Sequence, residues 1–249
     1  MSWVQGVSNL ALRGTLALFA EYRAYDRARI PSDGPLLVVA NHQSNMDPPI
    51  VALTLRRGTR FLAKDGIFKE VGPLGSWFLT SYGAHPLRRG RMDLSAFRWA
   101  ERVLQEPRAT LALFPEGTRN PGSMGRAHPG AASLAMRTGV TVLPLGITGT
   151  EGMRSWARIF KPKGEIIVRV GEPFRVRTSV ASHPAEDVGA ARNTPERISI
   201  DMMGRIAALL PSTYRGHYAD AAEGPFLYTE SLAALGEGGV TAGADVTPR

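Results

Sequence analysis

Residues 36–47 read LLVVANHQSNMD. The first five form an unbroken apolar run, as a strand buried on both faces requires. The next seven are polar apart from Met46 and end on Asp47, which Pro48 and Pro49 follow. Proline suits the first turn of a helix, where an N–H would have no partner. IVALTLRR (50–57) therefore reads as a helix with Asp47 at its N-cap. Strand, polar loop and capped helix in succession are half of a βαβ unit.

The alternation continues toward the C terminus. TRFLA (59–63), AHPLR (84–88), ATLALF (109–114), TVLPLGIT (141–148) and EIIVRV (165–170) read as strands. The stretch 66–81 is apolar and broken by glycine, so it reads as helical in pieces. LSAFRWAERVLQE, capped by Asp93, and GAASLAMRTG (130–139) read as helices. This pattern predicts an α/β fold with a mainly parallel central sheet flanked by helices. Pro144 lies inside the strand 141–148, which predicts an edge or a distortion there. Residues 178–193 are small and polar and read as a surface loop; a helix follows from Thr194 to Pro211.

The ends read differently. Trp3–Ala20 is apolar but of minimal spanning length, with Arg13 in its middle, so it is not read as a membrane span. It has no basic run before it and no small-residue cleavage site after it, which argues against a signal peptide. An amphipathic helix fits, either packed on the protein's own core or lying at a membrane interface. For the latter, Trp3, Val7, Leu10, Leu16 and Phe19 supply anchors beside Arg23, Arg27 and Arg29. The expected organisation is an N-terminal membrane-interface helical segment (1–30), an α/β domain (31–215) and a partly disordered tail (216–249). The tail's last stretch is GEGGVTAGADVTPR.

Of the chain's 249 residues, 43% are hydrophobic, enough for a sizeable core. The absence of cysteine excludes disulfides, zinc-thiolate sites and a thiol nucleophile. The formal charge is +8, and all 30 basic residues except Lys64, Lys69, Lys161 and Lys163 are arginine. Arginine grips phosphate and carboxylate through a planar fork. Such a surface suits nucleic acid, an anionic membrane or a phosphorylated small molecule. No helix-turn-helix, zinc-finger or RNA-binding signature accompanies the charge. G-x-S-x-G, H-E-x-x-H and the phosphate-binding P-loop are also missing.

In open parallel sheets, ligands bind at the carboxyl ends of the strands. His42 stands two residues past the strand 36–40, and Asp47 five residues later. Loop curvature can bring the two together, so that Asp47 accepts the Nδ1 proton and leaves Nε2 as a base. The plainer reading is a solvated histidine beside a helix cap. PEGTR (115–119) follows the strand 109–114. Gly117 permits close backbone approach to a ligand, and Thr118 and Arg119 can bind phosphate oxygens. Glu116 can hold the loop's shape. LRRGR (87–91) follows the strand 84–88, and Lys64 ends the strand 59–63, adding positive charge at the same edge.

In this order, NHQSNMD, GAHPLRRG, FPEGTRN and VLPLG resemble the blocks of the glycerolipid acyltransferases typified by 1-acylglycerol-3-phosphate O-acyltransferase. The resemblance spans residues 36–150 and extends loosely to Pro173. It implies acyl transfer from acyl-CoA or acyl carrier protein to the hydroxyl of 1-acylglycerol 3-phosphate, giving phosphatidic acid. His42 would be the general base and Asp47 its orienting partner, with no acyl-enzyme. The resemblance also implies acceptor binding by Arg88, Glu116, Gly117, Thr118 and Arg119; Asn41 and Lys64 at the same edge are further candidates, and Arg89 is an alternative to Arg88. Other readings stay open: glycerol 3-phosphate, a lyso-aminolipid or a lysophospholipid as the acceptor, or a non-catalytic basic membrane-binding protein. No metal or cofactor is implied beyond the thioester co-substrate. The expected partners are an anionic membrane surface and these lipids, and not nucleic acid. The expected location is the cytoplasmic face of a membrane, peripheral or monotopic. Loop N–H groups after Asn41 are the expected donors to the reaction's oxyanion.

Overall fold

A computed structural model describes residues 2–88, 93–153, 161–177 and 194–233. In chain order the elements are α1 (Trp3–Phe19), β1 (Ala20–Tyr25), β2 (Leu36–Ala40), α2 (Asp47–Leu55), β3 (Thr59–Lys64), α3 (Asp65–Glu70), α4 (Gly72–Tyr82), β4 (Ala84–Leu87), α5 (Leu94–Gln105), β5 (Thr110–Leu113), α6 (Gly130–Thr138), β6 (Thr141–Thr148), β7 (Gly164–Val170), β8 (Phe174–Val176), α7 (Pro195–Ala207), α8 (Ala219–Glu223) and β9 (Thr229–Ser231). They build one sheet in the order β1-β7-β6-β2-β5-β3-β4, with β8 and β9 attached beside β6. From β6 across to β4 every pairing is parallel. β7 is antiparallel to β6 and parallel to β1. The mainly parallel α/β fold expected from the alternation is the one observed.

β2 shows why its apolar run is unbroken. Leu36, Val38 and Ala40 face a core shared with Leu12 and Leu16 of α1 and Ile50 and Val51 of α2. Leu37 and Val39 face the opposite core, with Val103 and Leu104 of α5, Leu134 of α6 and Ile198, Met202 and Ile206 of α7. Successive side chains point to opposite faces, so a strand between two helical layers must be apolar at every position.

Two expectations are corrected by this arrangement, and two others are made specific. Residues 20–25 fall within the expected N-terminal helical segment, yet they form β1, paired with β7 from Ala20↔Gly164 to Tyr25↔Arg169. Of the two places expected for Pro144, an edge or a distortion, the structure shows the second: it sits on β6, between β2 and β7, at an irregularity in the ladder. Its carbonyl accepts the N–H of Gly171 at 2.9 Å, on the side where β6 changes partner from β7 to β8. The N–H that proline lacks would point into that break in the ladder, so no hydrogen bond is lost.

The first part of the tail, expected to be only partly disordered, carries α8 and β9. Asp201, buried on α7, accepts the N–H groups of Tyr228 at 2.6 Å and Thr229 at 3.1 Å, which holds β9 against β8. The stretch GEGGVTAGADVTPR, the loop 178–193 and residues Arg89–Arg91 lie outside the described residues. Finally, α2 begins at Asp47 itself, with Met46 at the N-cap position.

α1 is docked rather than loose. The side-chain amide of buried Gln5 donates to the carbonyls of Thr59 at 2.7 Å and Tyr82 at 2.8 Å and accepts the N–H of Thr59 at 3.1 Å. Leu16, expected as a membrane anchor, is in the core. Trp3, Val7, Leu10, Leu18 and Phe19 remain exposed, as do Leu74, Trp77 and Phe78 of α4. The rings of Trp3 and Trp77 lie 6.5 Å apart, joining the two helices into one exposed apolar face. Among the described residues, no helix is long and apolar enough to cross a membrane.

Candidate active site

The carboxyl ends of β2, β5 and β6 carry the loops where the polar residues converge. His42 Nδ1 lies 2.7 Å from Asp47 Oδ2. The same oxygen accepts the N–H groups of Gln43 at 2.6 Å and Ser44 at 2.7 Å. The other oxygen, Oδ1, accepts the hydroxyl of Thr150 at 2.6 Å. Asp47 is wholly buried, so this ring of donors stands in for the water it has lost. Carboxylate beside Nδ1 selects the tautomer protonated there, which leaves Nε2 unprotonated and available as a base. His42 is 16% exposed at its side chain and stacks on Phe114, with ring centroids 4.3 Å apart. Among the described residues no group hydrogen-bonds to Nε2.

Asn41 and Glu116 brace the loops. The amide of Asn41 donates to the carbonyl of Ile147 at 2.8 Å and accepts its N–H at 2.7 Å, clamping the end of β2 to β6. Glu116 is almost fully buried. One oxygen accepts the N–H of His42 at 2.8 Å; the other accepts Asn120 Nδ2 and the N–H of Gly125, both at 2.6 Å. Burial pushes its carboxyl above the usual carboxylate range, against the pull of these donors. The folded state therefore binds this proton more tightly than the unfolded chain. Its stabilising contribution is full below the unfolded pKa and is lost as pH rises through the folded value. Both residues were candidates for gripping acceptor; in the structure their polar atoms are spent on the protein's own loops. The expected oxyanion donors are engaged too, since the N–H groups of His42, Gln43 and Ser44 go to Glu116 and Asp47.

Gly117, Thr118 and Arg119 are exposed on the neighbouring loop. Gly117 has φ +64°, and a side chain there would strike the ring of His128, so both conformation and space require glycine. Arg119 Nη1 donates to Asn45 Oδ1 at 2.7 Å, which sets a guanidinium beside the His42 loop. Asn120 N–H to the carbonyl of His42 at 2.7 Å ties the two loops together. Lys64 and Arg88 are exposed at the same sheet edge but on β3 and just past β4. At about 4.8 Å per strand, β4 stands about 14 Å from β2. The structure thus gathers His42, Asp47, Asn41, Glu116 and Arg119 and leaves Lys64 and Arg88 at the rim. Among the described residues no group of three or more His, Asp or Glu could hold a metal ion.

Thr150, Gln43, Phe114 and Asn120 belong to this constellation and carried no sequence signal of their own. Gln43 and Phe114 lie inside or beside the quoted blocks. Thr150 lies two residues past β6 and meets Asp47 only through the fold.

A family model described as Acyltransferase matches residues 21–148, about half of the chain. The chain belongs to this acyltransferase family. The matched range holds every residue of the constellation except Thr150. Over 122 residues it is 36% identical to the chloroplastic 1-acyl-sn-glycerol-3-phosphate acyltransferase LPAT1 of Arabidopsis thaliana, covering 48% of this chain and 33% of that protein. It is 31% identical over 125 residues to the 1-acyl-sn-glycerol-3-phosphate acyltransferase of Borreliella burgdorferi, covering 49% of each. The crystal structure of the 1-acyl-sn-glycerophosphate acyltransferase PlsC from Thermotoga maritima superposes with a TM-score of 0.56 at 31% identity, covering 68% of both chains. The chain spans about a third of the length of the plant relatives it matches.

Proposed function

We propose that this acyltransferase moves a fatty acyl group from a thioester, acyl-CoA or acyl carrier protein, to the free hydroxyl of 1-acylglycerol 3-phosphate, forming phosphatidic acid. One observation carries the reading: an imidazole held at 2.7 Å by a buried carboxylate at the carboxyl edge of the sheet, with no described group hydrogen-bonded to Nε2. As the acceptor oxygen attacks the thioester carbon, Nε2 takes its proton and the carbonyl electrons move to oxygen. The tetrahedral adduct then expels the thiolate, which recovers the proton from Nε2. The residue returns to its starting state and no acyl-enzyme forms. In this reading Arg119, whose Nη1 donates to Asn45 on the His42 loop, binds the acceptor phosphate through two parallel hydrogen bonds.

The deciding assay follows thiol release from acyl-CoA with 1-acylglycerol 3-phosphate, glycerol 3-phosphate and a lysophospholipid without a phosphomonoester as acceptors. Preference for the first supports the proposal. Turnover only with another acceptor would move it to a different member of the same family, and no turnover with any thioester would reject it. Arg119→Ala is expected to raise KM for the phosphorylated acceptor about tenfold or more, as both charged hydrogen bonds to the phosphate are lost, and to leave KM for the thioester nearly unchanged. Equal effects on both substrates would remove Arg119 from the phosphate role.

We further place the enzyme peripherally on the cytoplasmic face of a membrane, through the face that α1 and α4 share. Lys161 and Lys163 flank Leu18 and Phe19 at the end of α1, around a cavity of about 430 Å³, a basic fringe suited to anionic headgroups. The pairing Ala20↔Gly164, on a strand antiparallel to β6, puts this end of α1 at the edge where His42 stands. A lipid acceptor would then reach the base without leaving the interface. Trp3→Ser with Trp77→Ser is expected to cut binding to anionic phospholipid vesicles at least tenfold, since burying one large side chain contributes about 1.5–3 kcal/mol. Unchanged co-sedimentation would refute this placement.

A further inference from the structure

We propose that Thr150 is a positioning residue for the His42–Asp47 pair, a role that rests on the acyl-transfer reading above. Asp47 needs donors on both oxygens because it is wholly buried. Oδ2 has three partners: His42 Nδ1 and the N–H groups of Gln43 and Ser44. Oδ1 has one short donor, the Thr150 hydroxyl at 2.6 Å; the Ser44 hydroxyl stands off at 3.4 Å and accepts the N–H of Met46. The three bonds on Oδ2 converge on a single atom, so by themselves they leave the carboxylate free to pivot about it. A donor on Oδ1 stops that pivot and keeps the Oδ2 lone pair aimed at Nδ1.

The chain is shaped to deliver this hydroxyl. β6 ends at Thr148, and Gly149 turns with φ +85°. A side chain at Gly149 would collide with the carbonyl of Glu165 on β7, so only glycine fits the turn. The turn closes through Met153 N–H to the carbonyl of Thr150 at 2.9 Å and leaves Thr150 wholly buried against Asp47. A threonine that merely filled space there would have no need to face a carboxylate.

The test compares the wild-type chain with Thr150→Val, which keeps the shape and removes the donor, and with Thr150→Ser, which keeps the donor. Two readouts are taken: steady-state acyl transfer, and the downfield proton resonance of the His42 Nδ1–H. Thr150→Val is expected to lower kcat about 10- to 100-fold, the effect of losing one hydrogen bond to a charged group, with both KM values within about twofold. Its Nδ1–H resonance should shift upfield or broaden away. Thr150→Ser should restore kcat to within about threefold and recover the resonance. If Thr150→Val does not fold, Thr150→Ala takes its place. Loss of activity in which serine rescues nothing, or a Val variant with wild-type kcat and an unmoved resonance, overturns the inference. A wild type without thioester turnover but with a Thr150-dependent resonance would reject the acyl-transfer reading while keeping the hydrogen bond, so the two failures are distinct.

Discussion

His42→Ala is expected to lower acyl transfer by about 10²–10⁴-fold while leaving the protein folded. In the proposed mechanism only the proton-accepting step depends on the ring. The ring stacks on Phe114 at the edge of the sheet and keeps some exposure to solvent, outside the two core clusters, so the cores stay intact when it is removed. The backbone N–H of His42, which Glu116 accepts, survives the substitution. The measurement is kcat with 1-acylglycerol 3-phosphate and acyl-CoA, paired with a thermal melt. A variant that melts like the wild type and turns over within threefold of it would show that the base lies elsewhere.

Asp47→Asn separates charge from geometry. The amide oxygen can replace Oδ2 and keep the N–H groups of Gln43 and Ser44 and the Nδ1–H of His42. The amino group then faces Thr150, whose hydroxyl can rotate to accept. The fold and the histidine tautomer are therefore expected to survive. What disappears is the negative charge beside an imidazolium that exists only once the proton has been taken. Two unit charges about 4 Å apart interact by roughly 4 kcal/mol at an effective dielectric near 20, which corresponds to about a 10³-fold loss in kcat. Near-wild-type kcat in a folded Asn variant would mean that the carboxylate only orients the ring.

The parts legible in the chain were those set by local chemistry. A continuous apolar run needs both faces covered, so LLVVA read as a central strand, and it is one. His42 and Asp47 are five residues apart, within the reach of one loop, and the pairing distance bears out the closeness expected of them. Roles were harder than places. Glu116 and Asn41 stand where the motifs suggested, yet each turns its polar atoms inward, because both are buried and a buried polar group must be satisfied by its nearest neighbours. α1 read correctly as amphipathic, but Leu16 belongs to its inner face and Leu18 to its outer one, a division set by how the helix docks through Gln5.

The sequence by itself determined the α/β alternation, the blocks that mark the family and the short-range pairing of histidine and carboxylate, since each rests on residues close in the chain. Tertiary structure alone decided that β1 joins the sheet, that Pro144 is tolerated in its interior, and that Thr150 reaches Asp47 from 103 positions away. Those outcomes depend on strand order and on where one strand ends beside another. Hydrophobic periodicity specifies which face of a strand is buried, and carries no term for which strand lies next to it.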